Sequence, residues 1–433
     1  MAREAPLAGL LRCRALDGSR GTCYFAARTK EPVHTPQPER MNVRNLACMA
    51  AILSMGSLHA QDDLIKKISG NSADTTGFRF SQVLSTPGTP VEDQGSSGTC
   101  WSYSTGSFLE SEMIKKGGPS IHLSKIYIAR RSYEEKAKSY VRMHGSLNYG
   151  DGGIAHDVVN MYAKYGAVPY EAYTGLNFGN AKNQSGEMQA VIKAMLDAIV
   201  QAPNKGTLTT VWPQAISGVL DAYLGHAPES FSYMGKSYTP QSFAKDVVKL
   251  DANDYLEFQS VADVPFYAKS TLMVPDNWAL NQAWNIPVED ITAIVDNALK
   301  NGYSVAWGGD VSEPSFSWKN GVAFVTTTPA AELSKEQKEN LFKGPQPEPV
   351  ITNEMRQKAF DSFATTDDHG MHITGIAKDQ NGTEWYIVKN SWGTSNQQEG
   401  FLYMSKPYAA YKMTAFMVNK KAVPAAIAKK LGV

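Results

Sequence analysis

The sequence predicts an α+β fold in two halves: a helical N-terminal lobe and an antiparallel, β-rich C-terminal lobe, with a helical insertion between them. Two patterns predict it. Up to about residue 300, apolar residues recur at helical spacing, as in Ile291, Ile294, Val295, Ala298 and Leu299. After residue 370 the apolar runs are short and divided by turns, at 371–377, 385–389 and 401–404, with Asp379-Gln380-Asn381-Gly382 as a hairpin-like connection. Helices followed by strands, rather than alternating with them, give the α+β arrangement. Ligand sites favour the cleft between such halves.

Taken in order, residues 1–40 are rich in Arg and Pro without sustained periodicity, and read as an upstream-start extension outside the fold. Met41-Asn42-Val43-Arg44 then supplies a basic start, 46–55 an apolar core, and Ser57-Leu58-His59-Ala60 a small-residue end before Gln61. That layout predicts a secretory signal peptide over 41–60, export to the periplasm or medium, and a mature start at Gln61. The whole chain holds 42 basic and 42 acidic residues; without its first sixty it holds 34 and 38, a net charge of about −4. No nucleic-acid partner is expected from that balance, and no later apolar run is long enough for a membrane span. Cys13, Cys23 and Cys48 fall in the removed part, leaving Cys100 alone. An exported chain with one thiol cannot close an internal disulfide, which marks that thiol as a candidate for chemistry.

The mature chain divides at about 175 and 286. In the N-terminal lobe, 61–175, a polar lead-in precedes the loop Asp93-Gln94-Gly95-Ser96-Ser97-Gly98-Thr99, which runs into Cys100. Residues 102–116 lack Pro and are stopped by Gly117-Gly118, so the thiol stands at or near a helix start. Unsatisfied N–H groups and the macrodipole there favour the thiolate, which is the nucleophile. Taken alone, that stretch fits a buried structural cysteine as well. Asp151-Gly152-Gly153 forms a turn whose backbone can pair with an extended peptide, and a helix follows over 154–165. The insertion, 176–286, shows helical pieces near 188–199, 207–224 and 238–248 and declares no chemistry. In the C-terminal lobe, 287–433, a helix opened by Pro287 precedes a strand at 303–307, a Pro-rich loop at 343–349, a helix at 353–363 and the three strands above.

A cysteine nucleophile needs a base, and the base an orienting group. His369 and His372 stand just ahead of Tyr386-Ile387-Val388-Lys389-Asn390-Ser391-Trp392-Gly393. There Asn390 can hold one imidazole nitrogen while the other faces the thiolate, and Trp392 can shield that hydrogen bond from water. Gln94 can aim an amide at the oxygen that becomes charged in acyl transfer. Together with Asp368-His369-Gly370-Met371 and Ile373-Thr374-Gly375, these stretches resemble the papain-like cysteine peptidases. More specifically they resemble the bleomycin hydrolase/aminopeptidase C branch (peptidase family C1, subfamily B). Asp151-Gly152-Gly153, Gly309-Asp310-Val311 and Val418-Asn419-Lys420-Lys421 are similar to that branch as well. Ser97 and Thr99 depart from the papain signature, and His369 follows Cys100 by 269 positions, against about 130–150 in papain-like chains. A long insertion between the two is a feature of the branch.

The resemblance implies a papain-like two-lobed fold in which Cys100 is the nucleophile, His369 the general base and acid, Asn390 its orienter, and Gln94 an oxyanion-hole donor. Gly152 and Gly153 would pair with substrate. His369 is preferred to His372 because the family's histidine stands six residues before the strand glycine, here Gly375. Peptide substrates are implied, with no cofactor and no metal. The branch also implies a homo-oligomer, a hexameric barrel, and a cytoplasmic location that opposes the signal-peptide reading. An aminopeptidase is the implied activity. In the branch a C-terminal arm restricts cleavage to peptide N-termini; the sequence stops at Lys429-Lys430-Leu431-Gly432-Val433, before that arm is expected, so an exported endopeptidase or dipeptidyl peptidase is the alternative. A transglutaminase or amidase using the same pair, and a non-catalytic peptide-binding protein, are the other classes.

Overall fold

The helix expected after the Gly/Ser loop forms as α1 (Cys100–Lys115), with Cys100 as its first residue. A computed structural model describes residues 76–203 and 206–433. The extension at 1–40, the signal segment at 41–60 and most of the lead-in lie outside the described residues.

Every residue of α1 from Cys100 to Met113 is buried. Its small polar side chains make this tolerable, because several of their hydroxyls find partners. Ser102 Oγ donates to Lys125 O at 2.8 Å, Ser104 Oγ to Trp101 O at 3.2 Å, and Ser107 Oγ meets His372 Nδ1 at 3.0 Å. On one side α1 packs against α2 (Lys125–Arg142) and α3 (Ala155–Tyr165). Behind them, α4 (Gly186–Gln201) and α5 (Trp212–Leu224) close a core that includes Phe108, Tyr127, Tyr133, Ile192 and Leu220.

On its other side α1 lies against a sheet of eleven strands. In chain order the strands are β1 (Phe80–Ser85), the separate hairpin β2 (Phe231–Tyr233) and β3 (Lys236–Tyr238), then β4 (Tyr255–Gln259), β5 (Lys269–Thr271), β6 (Gln282–Asn285) and β7 (Val305–Gly309). After them come β8 (Phe316–Ser317), β9 (Val322–Ala323), β10 (His369–Asp379), β11 (Glu384–Lys389), β12 (Phe401–Ser405) and β13 (Met413–Asn419). The spatial order is β5-β6-β4-β13-β7-β10-β11-β12-β9-β8, with β1 beside the far half of β10. Pairing is antiparallel except at β4–β6 and β9–β12.

Strand β10 is central, and all its residues but Lys378 are buried, so it lacks the apolar/polar alternation of a half-exposed strand. The helix with the clear apolar stripe, α6 (Val288–Lys300), buries Ile291, Ile294, Val295, Ala298 and Leu299 in a second core with Trp307, Met371 and Phe416. A last helix of this length class, α7 (Asn353–Asp361), precedes the site strand. No helix among the described residues is long and apolar enough to cross a membrane.

Two stretches differ from the sequence reading. Helix α2 was not expected, because its stripe of Ile126, Ala129, Tyr133, Ala137 and Tyr140 is diluted by lysines, arginines and glutamates. Strands β4, β5 and β6 fall within the stretch read as a helical insertion and extend the main sheet instead. Their shortness, at three to five residues, leaves little periodicity to read.

Candidate active site

The loop before Cys100 is fixed from both lobes. Gly95 has φ +64°, and a Cβ there would fall 2.4 Å from Asn183 O, so both conformation and space require glycine. Gln94 N–H donates to Ser391 O at 2.9 Å and Gly393 N–H to Glu92 O at 3.1 Å, which stitches the loop to the Asn390-Ser391-Trp392-Gly393 run. Gly98 N–H donates to the carboxylate of Asp151, and Trp101 Nε1 donates to Asp151 O at 3.0 Å. Asp151 thus ties the nucleophile loop to the Gly152-Gly153 turn.

Cys100 enters the site at 7% exposure on the first turn of α1, where the helix dipole favours a thiolate. His369, the first residue of β10, is 3% exposed and pairs with Gly309 of β7. Both side chains line one cavity. The approach of α1 to β10 is close: a Cβ on Gly370 would lie 2.8 Å from Ser104 Oγ and 3.3 Å from Trp101 Cα.

Asn390 orients the imidazole. Its Oδ1 lies 2.8 Å from His369 Nε2 and also accepts the Ser391 N–H at 2.8 Å. A backbone N–H can only donate, so it identifies that amide atom as the oxygen. Nε2 must then carry the proton, and in the neutral ring Nδ1 is left as the basic nitrogen. Nδ1 is buried and makes no hydrogen bond within the described residues. Burial pushes the His369 imidazole down to about 4, with the Asn390 hydrogen bond opposing, so the ring is neutral near pH 7. Trp392 lies against it, ring centroids 4.6 Å apart at 35°, and is itself packed on Trp318.

His372 is elsewhere. It faces Ser107, two turns along the same face of α1 from Cys100, and burial holds its imidazole well below the usual range. Gln94 is fully buried at 0% exposure and lies outside the wall of the cavity that holds Cys100. Its Nε2 donates to Ser97 O at 2.6 Å and its Oε1 accepts from Ser391 Oγ at 2.6 Å, so the amide braces the loop against the Asn390 run. Gly152 and Gly153 line the cavity. A Cβ on Gly153 would fall 2.8 Å from the Trp101 indole, and the Gly152 carbonyl already accepts from the buried Lys136 ammonium. Among the described residues one trio has metal-ligand spacing, Glu92, Glu110 and His122. The Lys125 ammonium pairs with both carboxylates and supplies the positive charge there.

The Peptidase C1-like family profile matches residues 128–432. The chain belongs to that family. It is a cysteine peptidase. Aminopeptidase G of Lactobacillus delbrueckii subsp. lactis is 23% identical over 389 residues, covering 79% of this chain and 84% of that one. Bleomycin hydrolase of Mus musculus is 22% identical over 395 residues, 80% of this chain and 83% of that one. The crystal structure of PepW from Lactobacillus rhamnosis HN001 superposes with a TM-score of 0.65 at 17% identity, over 92% of this chain and 96% of the other, which shows the shared fold.

Sequence reasoning missed one side of this peptidase's cavity. Glu257 of β4, Asp276 of the β5–β6 connection and Asp367, two residues ahead of His369, all line it with Cys100. Asp367 and Asp368 stood beside the histidine and were readable as acidic neighbours. Glu257 and Asp276 carried no local signal.

Proposed function

We propose that the chain is a cysteine aminopeptidase that works through an acyl-enzyme on Cys100. The observation that carries this reading is the Asn390-fixed tautomer of His369, which leaves Nδ1 basic in the cavity it shares with a thiol at a helix start. In the first step Cys100 Sγ attacks the scissile carbonyl carbon as its proton passes to His369 Nδ1. The tetrahedral oxyanion forms beside the Cys100 N–H; Gln94, the second donor that the resemblance implies, braces the loop from outside the cavity wall and would have to turn its free Nε2 hydrogen toward the oxyanion. The C–N bond then breaks, and His369 gives its proton to the leaving amine. Water attacks the thioester with His369 as base, which releases the carboxylate product and restores the thiol. Asn390 keeps the ring's orientation through both proton transfers, and the Trp392 indole excludes water from one face of the ring.

The reading extends to export: the 41–60 segment would be removed before Gln61, which N-terminal sequencing of the secreted protein checks. The activity test compares wild type with Cys100→Ala on a fluorogenic substrate carrying a free N-terminal amino acid. The expected result is turnover by wild type, inhibition by E-64, and a loss on the order of 10⁴-fold or more in the variant. Full activity in Cys100→Ala would overturn the nucleophile. Peptide binding without turnover or Cys100 labelling would make the chain a binding protein.

A further inference from the structure

The cavity that holds Cys100 and His369 is acidic on one side, and that side has no counterpart in the chemistry above. Asp276 stands against Gly152, where a Cβ would lie 1.9 Å from its Oδ2. Asn148 Nδ2 donates to the other oxygen at 3.1 Å. Glu257 is 7% exposed, and although its Oε2 meets His156 Nδ1 at 2.5 Å, its Oε1 is buried without a partner. Asp367 Oδ1 accepts from Thr414 Oγ1 at 2.9 Å, while its Oδ2 is likewise buried without a partner. Two buried acceptor oxygens left without a protein partner beside one cavity are costly unless a donor arrives. The opening measures about 50 Å³, room for a few water-sized groups rather than for a long extension of peptide.

Resting on the peptidase reading, we infer that Asp276 and Asp367, backed by Glu257, receive the free α-ammonium group of the substrate and so limit cleavage to peptide N-termini. An ammonium has three donors and one positive charge, and the wall has the matching acceptors. Two cations stand against four carboxylates: His156 pairs with Glu257 and lies 3.7 Å from Asp157, and the buried Lys136, which donates to the carbonyls of Gly150 and Gly152, also attracts Asp276. The remaining negative charge is in excess. Burial first, then the charge of Asp276, holds the Asp367 carboxyl up to about 7, with Glu257 adding to this and Thr414 opposing it. An incoming cation relieves that repulsion, whereas an acetylated amine brings no charge and a single donor in place of three into the same narrow space.

The test uses three matched fluorogenic substrates, with a free α-amine, an N-acetyl group, or a hydroxyl in place of the amine. They are assayed on wild type, Asp276→Asn and Asp367→Asn, with iodoacetamide alkylation of Cys100 as a readout of the intact pair. Wild type is expected to prefer the free amine by at least about 10-fold over the hydroxyl analogue. Each variant is expected to lose about 10–100-fold in kcat/KM on the amine substrate alone, mainly through KM, at an unchanged alkylation rate. Wild type cutting acetylated and free substrates equally well, or variants that keep the wild-type ratio, would overturn the amine receptor and leave the cysteine peptidase standing. Absence of turnover on all three, with no rapid alkylation, would remove both. The wild-type comparison of amine and hydroxyl decides the matter even if a variant fails to fold.

Discussion

Gly370→Ala tests whether the close approach of β10 to α1 sets the Cys100–His369 pair. The new Cβ would stand 2.8 Å from Ser104 Oγ, 3.3 Å from Trp101 Cα and 3.4 Å from Trp101 N. Ordinary contact begins at 3.4 Å, so the hydroxyl must retreat by about 0.6 Å and the helix backbone by about 0.1 Å. Ser104 resists, since rotation breaks its hydrogen bond to Trp101 O. The remaining relief is separation of strand from helix, and His369 is the adjacent residue on that strand. A misplacement of 1 Å costs on the order of 10²-fold, so a shift of half that size predicts roughly a 10-fold loss of kcat/KM. The overpacking itself is expected to cost about 1–3 kcal/mol of stability. The assay is steady-state cleavage of the free-amine substrate with the iodoacetamide alkylation rate of Cys100 beside it. Adding Ser104→Ala removes the 2.8 Å contact and should restore most of both, leaving only the small backbone overlap. Wild-type kinetics in Gly370→Ala, or no rescue by Ser104→Ala, would refute the claim that this contact positions the pair.

Two further outcomes follow from the same geometry. Asn390→Ala strips the acceptor from His369 Nε2 and frees the ring to take the wrong tautomer, so kcat should fall on the order of 10²-fold with little change in KM, as measured by full saturation curves. His156→Gln should flatten alkaline destabilisation. Burial alone would lower the His156 imidazole, but Glu257 and Asp157 outweigh it and lift it to about 9. A pKa raised above the unfolded value of about 6.5 gives stability that is complete below pH 6.5 and lost as pH rises through 9, about 3 kcal/mol in all. Urea unfolding at pH 6.5 and pH 10 should therefore show the variant losing about 3 kcal/mol less than wild type, and equal losses would remove the ion pair from the account.

How far the sequence carried depended on whether the informative residues were neighbours in the chain. The Cys100 helix, the α6 stripe and the β10–β12 strands were legible because capping, periodicity and turns are local signals. Cys100, His369 and Asn390 could be paired only through resemblance, since spacing says nothing about which distant stretches meet. Helix α2 was readable in principle, but tyrosine and alanine at its buried positions look weakly apolar beside so many charges. Strand β1 escaped for another reason: four of its six residues are exposed, and it joins the sheet through backbone pairing with β10. Glu257 is a buried carboxylate inside a short, mostly buried strand, and it makes sense only with His156, 101 residues earlier. Asp276 acquires meaning only against Gly152.

The two kinds of site residue are therefore held by different devices. The catalytic pair spans the seam between the helical core and the sheet core, and that seam is polar rather than greasy. Lys389 Nζ donates to Ser107 Oγ at 2.8 Å and to Thr89 O at 2.7 Å, Ser107 meets His372, and Lys125 is paired with Glu110. Directional bonds fix the depth and rotation of α1 against β10 in a way that interchangeable apolar contacts do not, and buried polar groups that satisfy one another carry no large penalty. The acidic wall, by contrast, is contributed by β4, the β5–β6 connection and the segment before β10, and keeps two buried oxygens without a protein partner. A seam braced by hydrogen bonds inside the protein, with His369 Nδ1 left without one, is what a fixed proton relay requires. A wall lacking partners is what a binding subsite requires, because the missing donor is supplied by substrate.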